Sequence, residues 1–146
     1  MDGFRRPKLG GNAPISPHAG FKYYNMDQST MYEAINNTLA TVIQESNIDI
    51  VIPSGIAIQN LRNTSVNNPP MDLTRDGYHL DFGAGRYTAA CTWFESLIAK
   101  VYKVSVIGNT YRAKFGNVPV TNENAAICQQ AAYNAVKEFA PEHSQY

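Results

Sequence analysis

An acid and a histidine stand three residues apart near the middle of the chain, in the segment Asp76-Gly77-Tyr78-His79. Because glycine accepts backbone conformations that other residues avoid, Gly77 allows a tight bend in which the side chains of Asp76 and His79 face each other. A carboxylate that accepts a hydrogen bond from one imidazole nitrogen fixes the tautomer and leaves the other nitrogen available as a base. The spacing therefore predicts two of the three groups of a nucleophilic hydrolase.

The same segment has two competing interpretations. Asp-Gly between flanking leucines is a signal for a β-hairpin turn, in which the acid would have only a structural role. Asp72 and Asp81 are alternative partners for His79. Asp81 is only two residues away and Asp72 lies beyond easy local reach, so Asp76 is the preferred partner.

The nucleophile of such a hydrolase is harder to find in the sequence. Ser54 follows the apolar run Ile48–Pro53 and precedes a glycine, but its context is Pro-Ser-Gly and not the Gly-x-Ser-x-Gly of a nucleophile elbow. We therefore favour a structural role in which its hydroxyl bonds the local turn. In open α/β sheets ligands collect beyond the carboxyl ends of the strands, which predicts substrate-binding positions for Ser54, Gln59, Asn60 and Arg62.

Hydrophobic periodicity predicts three helices around this segment. Thr30 and Glu33 form a capping-box pattern at the start of the first helix, whose apolar residues continue to Val42. This first helix is predicted to be amphipathic and to cover a core. The second runs roughly from Ala84 to Lys100, and the third follows Thr121 and has an alanine-rich side that permits close packing.

Two short apolar runs predict strands, Ile48–Pro53 as a buried parallel strand and Val104–Gly108 as a weaker one. A short helix is predicted for residues 54–63, and the proline- and glycine-rich residues 1–26 predict coil. The chain is predicted to form a single α/β domain, residues 1–146. One strong and one weak strand cannot satisfy the backbone groups of a buried sheet, so we expect a partial domain, or a sheet completed by self-association.

Composition limits the partners. Twelve basic and twelve acidic residues give no net charge, and no basic cluster favours a nucleic acid. Arg62, Arg75 and Arg86 could bind an anionic substrate group, although an arginine beside a loop acid more often forms a structural pair. No run of about 18 apolar residues predicts a membrane span. The start, Met1–Pro7, lacks the apolar core of a signal peptide, and the compartment stays open.

The residues that most often bind metals do not form a pattern here. Cys91 and Cys128 lie among small and apolar residues of predicted helices, which favours buried free thiols. The three histidines are His18, His79 and His143, and no pair has the spacing of metal ligands. We therefore predict no metal site and no cofactor.

Around Asp76 and His79 the sequence resembles the SGNH (GDSL-like) hydrolase superfamily, whose final motif is Asp-x-x-His. More narrowly, four blocks from about Phe21 onward resemble a bacterial SGNH-type family of uncharacterised function: Tyr32–Ile35, Val51–Asn60, Leu73–Leu80 and Gly85–Glu95. The resemblance implies a flavodoxin-like three-layer α/β/α fold, with His79 as the general base and Asp76 as its orienting acid.

The superfamily's serine lies in a Gly-Asp-Ser-like block near the amino terminus of the domain, and no such block precedes residue 21 here. The resemblance therefore implies the C-terminal part of a serine esterase that acts on a small-molecule or carbohydrate ester and is inactive alone. The alternative is a non-catalytic carbohydrate-binding or interaction module derived from that fold, in which Gln59, Asn60 and Trp93 would serve sugar recognition.

Overall fold

Every regular element is helical in the computed structural model, which describes residues 21–24, 27–69, 71–77 and 79–139. A short 3-10 turn, Phe21–Tyr24, precedes the first helix, and a π-helical turn, Glu95–Ala99, joins the third helix to the fourth. The helices are α1 (Gln28–Glu45), α2 (Ser54–Arg62), α3 (Ala84–Phe94), α4 (Lys100–Tyr102) and α5 (Asn122–Phe139).

The first helix begins earlier than the capping-box pattern predicts. The Asp27 carboxylate caps α1, because its Oδ2 accepts hydrogen bonds from the Thr30 amide (2.7 Å) and the Thr30 hydroxyl (2.8 Å). Thr30 therefore lies inside the helix instead of capping it. Only Gln28 and Met31 of α1 are buried, and Val42 is 40% exposed. The prediction that α1 covers a core thus holds for its first turn alone.

The core lies where α2, α3 and α5 pack against one another. The alanine-rich side of α5 allows this close approach, since small side chains let helix backbones come together. The second predicted helix begins at Ala84 as predicted, but its α-helical part ends at Phe94 and the chain continues as the π-helical turn and α4. The third helix begins after Thr121 and the short helix begins after Pro53, as predicted. Buried residues from the three helices fill the core: Ile58, Leu61, Tyr87, Cys91, Ala125, Cys128, Ala132 and Ala135.

The prediction of an α/β fold, the C-terminal portion of a flavodoxin-like three-layer domain, is wrong. No strand or sheet occurs among the described residues, where Thr74 and Leu80 form an isolated antiparallel bridge. Residues 47–53 have no regular secondary structure, and the backbone hydrogen bonds that involve them are local: the Ile48 amide donates to the Ser46 carbonyl, the Ser54 amide to the Ile52 carbonyl and the Ala57 amide to the Pro53 carbonyl. A β-branched run favours extended backbone, yet it becomes a strand only where another strand pairs with it.

The prediction of a second strand, Val104–Gly108, is also wrong. This segment bends and packs on the π-helical turn that follows α3. The Val106 amide donates to the Glu95 carboxylate (2.8 Å), and the Val106 side chain is buried. The apolar, β-branched side chain of Val106 is thus buried against helical residues and not against a neighbouring strand.

A buried carboxylate joins the segment before α3 to the loop before α5. Asp81 is completely buried, and its Oδ2 accepts from the Gly83 amide (2.9 Å) and the Val118 amide (3.3 Å). Its Oδ1 accepts from the Asn117 amide. These bonds from three amides satisfy the buried carboxylate, and no basic side chain of the described residues forms a salt bridge with it. They hold the start of α3 against the loop before α5.

The two cysteines are buried free thiols, as predicted. Burial raises the pKa of the Cys91 thiol to about 11, and it also raises the pKa of Cys128. Since the thiolate is the reactive form of cysteine, both groups are unreactive at neutral pH.

Two other expectations concern the first residues and membranes. The coil prediction for residues 1–26 falls mostly on residues 1–20 and 25–26, which lie outside the described part, while Phe21–Tyr24 forms a 3-10 turn. Among the described residues, no helix has both the length and the apolar character needed to cross a membrane.

Candidate functional site

Asp76 and His79 lie on a short loop that closes on itself. The isolated bridge between Thr74 and Leu80 forms its base, and the Arg75 amide donates to the His79 carbonyl (3.0 Å). Gly77 has a φ of +90°, and its amide donates to the Thr74 hydroxyl (2.9 Å). The left-handed conformation at Gly77 is the reason that the sequence needs glycine there. The hairpin-like turn and the acid–histidine contact are therefore one structure, not alternatives.

The Asp76 carboxylate holds His79 at two atoms. Its Oδ1 accepts from the His79 amide (2.8 Å), and its Oδ2 lies 2.7 Å from ring Nδ1. An ionised carboxylate can only accept, so Nδ1 carries the proton when the ring is neutral and Nε2 is the acceptor nitrogen. The His79 side chain is 63% exposed. The predicted contact is present, and the ring is open to solvent; the catalytic role stays a prediction.

A strained turn precedes this loop. Asp72 and Leu73 have φ values of +50° and +64°, which is costly for residues other than glycine. The Arg62 guanidinium donates to the Asp72 carbonyl through two nitrogens (3.3 and 3.4 Å). Asn67 Nδ2 donates to the Asp72 carboxylate (3.2 Å), and Asn68 Oδ1 accepts from the Leu73 amide (2.8 Å). Side chains from α2 and from the loop after it thus hold the turn that precedes and positions the Asp76/His79 loop.

The residues predicted to bind substrate lie on α2, and three of them bond within the protein. Arg62 is only 9% exposed and donates to Gln59 Oε1 (3.3 Å) as well as to the strained turn. Asn60 Nδ2 is 3.4 Å from the Glu138 carboxylate on α5. The Ser54 hydroxyl is buried and makes no hydrogen bond within the described part of the chain, so it does not bond the local turn. A substrate role for these residues stays a prediction.

Asp72 and Asp81, the alternative partners of His79, have other contacts. The Asp72 carboxylate accepts from Asn67, and the Asp81 carboxylate accepts from backbone amides before α3 and before α5. Neither carboxylate contacts His79 among the hydrogen bonds of the described residues, which leaves Asp76 as the acid that positions the ring.

An aromatic side chain links this loop to a cavity that sequence reasoning did not find. Phe82 is 48% exposed, and its ring centroid lies 4.6 Å from the Arg75 guanidinium and 4.3 Å from that of Arg86. Arg75 Nε is 3.8 Å from Asp76 Oδ2. Phe82 and Arg86 also line a cavity of about 390 Å³. The walls come from residues up to 31 positions apart in sequence, from Phe82 to Ala113, so no local pattern marks the cavity.

Within the described ranges, no group of three or more His, Cys, Asp or Glu residues is arranged to hold a metal ion. The fold and the site thus define a helical protein with a solvent-exposed acid–histidine pair on a short closed loop. The chain belongs to the family described as a domain of unknown function, DUF4886, which it matches over residues 11–135.

A solved structure from the same family is similar to this chain. It is a DUF4886 family protein from Bacteroides uniformis, with 34% sequence identity and a TM-score of 0.65. The match covers 93% of this chain and 46% of that one, so the chain spans about half the length of its solved relative. No curated protein matches. Neither family description names an SGNH or GDSL-like hydrolase.

Proposed function

We propose that Asp76 and His79 are the acid–base part of an ester hydrolase. The observation that supports this is that the Asp76 carboxylate contacts His79 twice, at the backbone amide (2.8 Å) and at ring Nδ1 (2.7 Å), on an exposed loop. A purely structural aspartate in a tight turn needs only the amide bond. The ring contact adds what a general base requires, namely a defined tautomer whose Nε2 accepts a proton.

In the proposed reaction a serine hydroxyl attacks the ester carbonyl while His79 Nε2 takes the hydroxyl proton. Asp76 stabilises the imidazolium that forms. The imidazolium then protonates the leaving alcohol, and an acyl-enzyme remains. Water attacks the acyl-enzyme with His79 again as base, which releases the acid and restores the serine.

The nucleophile of this proposal is a serine outside the described residues, as the resemblance to SGNH hydrolases implies. No serine hydroxyl of the described part is hydrogen-bonded to His79, and the Ser54 hydroxyl is buried. The substrate class proposed is a small-molecule or carbohydrate ester. Nucleic acids are not proposed as partners, because twelve basic residues are balanced by twelve acidic ones.

Hydrolysis of p-nitrophenyl acetate tests the proposal. We expect negligible turnover by the 146-residue chain alone and clear turnover by a longer product that also contains a Gly-Asp-Ser-like block. His79→Gln and Asp76→Asn in that product should each reduce kcat/KM by about a hundredfold or more, because they remove the base and its orienting acid.

His18→Gln, which changes a histidine far away in the sequence, is the matched control and should leave the rate unchanged. A product that contains both this chain and such a block but has no esterase activity on short acyl esters would contradict the proposal. The same holds for turnover that survives His79→Gln.

The second candidate is a carbohydrate-binding module, which one observation favours. Trp93 on α3 is 55% exposed, and an exposed indole is a suitable platform for the apolar face of a sugar ring. Gln59 and Asn60 are hydrogen-bonded within the protein instead. Calorimetry with oligosaccharides distinguishes the candidates, since sugar binding lost in Trp93→Ala and retained in His79→Gln identifies the binding module.

Self-association was expected as a way to complete a sheet, and among the described residues there is no sheet to complete. Its remaining support is the irregular segment after α1, where Ile48 and Ile50 are 40% and 62% exposed. Apolar side chains in such a segment favour contact with another surface, so self-association remains part of the proposal on this different ground.

A further inference from the structure

The cavity beside the Asp76/His79 loop has the size and the walls of a small-molecule site. Its volume of about 390 Å³ lies within the range of ligand pockets, roughly 300–1,000 Å³. Phe82 and Phe94 contribute aromatic surface at the two ends of α3, and Val106 and Tyr111 contribute the facing wall from the segment before α5. Such walls favour an apolar, flat or branched ligand body.

The facing wall is held in place from behind by a buried glutamine. Gln129 of α5 is 2% exposed, and its Nε2 donates to the Asn109 carbonyl (2.8 Å) and to the Tyr87 hydroxyl (2.7 Å). Its Oε1 accepts from the Gly108 amide (2.9 Å). Because one side chain satisfies groups on both walls, the cavity is formed before any ligand enters, which reduces the cost of binding.

One wall of the cavity carries a cation, the guanidinium of Arg86. Arg86 is exposed, and its guanidinium is held over the Phe82 ring at 4.3 Å. No carboxylate among the described residues pairs with Arg86. A guanidinium offers paired donors that match a carboxylate, and the ring contact limits its movement.

We propose that this cavity binds a small carboxylic acid with an apolar body: the body lies between Phe94 and Tyr111, and the carboxylate pairs with Arg86. Arg75 connects the cavity to the acid–histidine pair, since it contacts both the Phe82 ring and the Asp76 carboxylate. This assignment of a substrate rests on the proposed hydrolase function: the substrate would be an ester whose apolar part carries a free carboxylate.

The test uses two probes with the same carbon skeleton, the anionic 4-phenylbutyrate and the neutral alcohol 4-phenylbutanol, titrated calorimetrically into the 146-residue chain. We expect millimolar or tighter binding of the acid, consistent with the efficiency of small ligands, and at least tenfold weaker binding of the alcohol. Arg86→Gln should weaken binding of the acid about tenfold, because the ion pair is lost.

Lys137→Gln is the matched control, since Lys137 is also held over an aromatic ring, that of Tyr133 at 5.7 Å, but on α5 and outside the cavity. A second variant tests the cavity itself. Ala90 is an exposed residue that lines it, so Ala90→Trp should fill the cavity and abolish binding without disturbing the core. Circular dichroism verifies that each variant is folded.

The proposal is overturned if 4-phenylbutyrate does not bind at about 10 mM, if the alcohol binds as well as the acid, or if neither Arg86→Gln nor Ala90→Trp weakens binding. His79→Gln separates this inference from the hydrolase proposal. Retained binding of the acid in His79→Gln, with no ester hydrolysis by any form of the protein, supports the cavity and rejects the hydrolase.

Discussion

His79 depends on a single neighbouring side chain for both its backbone and its ring geometry. The two oxygens of Asp76 divide these tasks, one to the amide at 2.8 Å and one to Nδ1 at 2.7 Å. Arg75 Nε lies farther from the same carboxylate, at 3.8 Å, and its side chain is partly exposed, so it contributes little to holding the ring. The ring orientation therefore depends on Asp76 much more than on Arg75.

This dependence predicts the tautomer of His79. Ring ¹⁵N chemical shifts at alkaline pH should show a proton on Nδ1 in the wild-type protein, because the ionised Asp76 accepts from that nitrogen. Asp76→Ala should move the population toward the Nε2–H tautomer. Arg75→Gln is the control and should leave the shifts unchanged. Equal tautomer populations in the wild type and Asp76→Ala would show that the contact does not orient the ring.

At the level of elements, hydrogen bonds to Asp81 hold the loop before α5 against the start of α3. Gly116 has a φ of +102°, and a Cβ built on it would lie 2.5 Å from Asp81 Oδ1 and would also overlap the Gly83 amide nitrogen. The close approach places the amides of Asn117 and Val118 on the buried Asp81 carboxylate. Asp81 then keeps the beginning of α3, and with it Phe82 and Arg86, in the position that the cavity requires.

Two glycine substitutions test whether the close approach of Gly116 to Asp81 is needed for stability. Gly116→Ala should lower the free energy of unfolding by about 3 kcal/mol or more, because it combines an unfavourable φ with a clash against backbone and a buried carboxylate. Gly108→Ala is the matched control: Gly108 also has a positive φ (+84°), but a Cβ there meets nothing within 4 Å. Its cost should be about 1 kcal/mol.

Urea unfolding followed by circular dichroism measures both variants. The difference between them isolates the steric part, since both carry the same kind of backbone strain. Similar losses in the two variants would mean that Gly116 does not need to approach Asp81 closely.

For the whole molecule, the burial of ionisable groups in the core makes the free energy of unfolding decrease as the pH rises into the alkaline range. Cys91 is 4% exposed, and burial raises its pKa to about 11 from an ordinary value of 9.0. Burial also raises the pKa of Tyr87 and of Cys128. All three are neutral when protonated, so the folded protein retains protons that the unfolded chain releases as the pH rises.

The sign of the effect follows from these shifts. Below about pH 9 the Cys91 thiol is protonated in both states, and its contribution is fully present. Between pH 9 and 11 the unfolded chain loses the proton first, so the free energy of unfolding should fall by about 2 kcal/mol from this group.

Urea unfolding at neutral pH and near pH 11 measures this decrease. Cys91→Ala should lower stability at all pH values through the lost packing, but the decrease with pH should be smaller than in the wild type. The remaining slope should include the contributions of Tyr87 and Cys128, whose pKa values burial also raises. A slope unchanged by Cys91→Ala would show that this thiol is not buried as described.

The sequence by itself determined the local features of this protein. Periodic apolar residues predicted α3 and α5 correctly, and Thr121 caps the last helix through its hydroxyl, which accepts from the Asn124 amide (3.3 Å). The contact between Asp76 and His79 follows from a glycine turn that spans three residues. Such features form between residues that the covalent chain already holds close, so a short stretch of sequence contains all the information they require.

Only the tertiary structure decided the rest. The run Ile48–Pro53 has the composition of a strand, but a strand needs a partner elsewhere in the chain, and the described residues supply none. Asp81 contacts the Asn117 amide 36 residues away, and Arg62 reaches the Asp72 carbonyl across 10 residues. The cavity with Arg86 in its wall likewise joins separate segments. These features depend on which distant groups meet in the folded chain, because burial and pairing are satisfied jointly by residues that no local pattern connects.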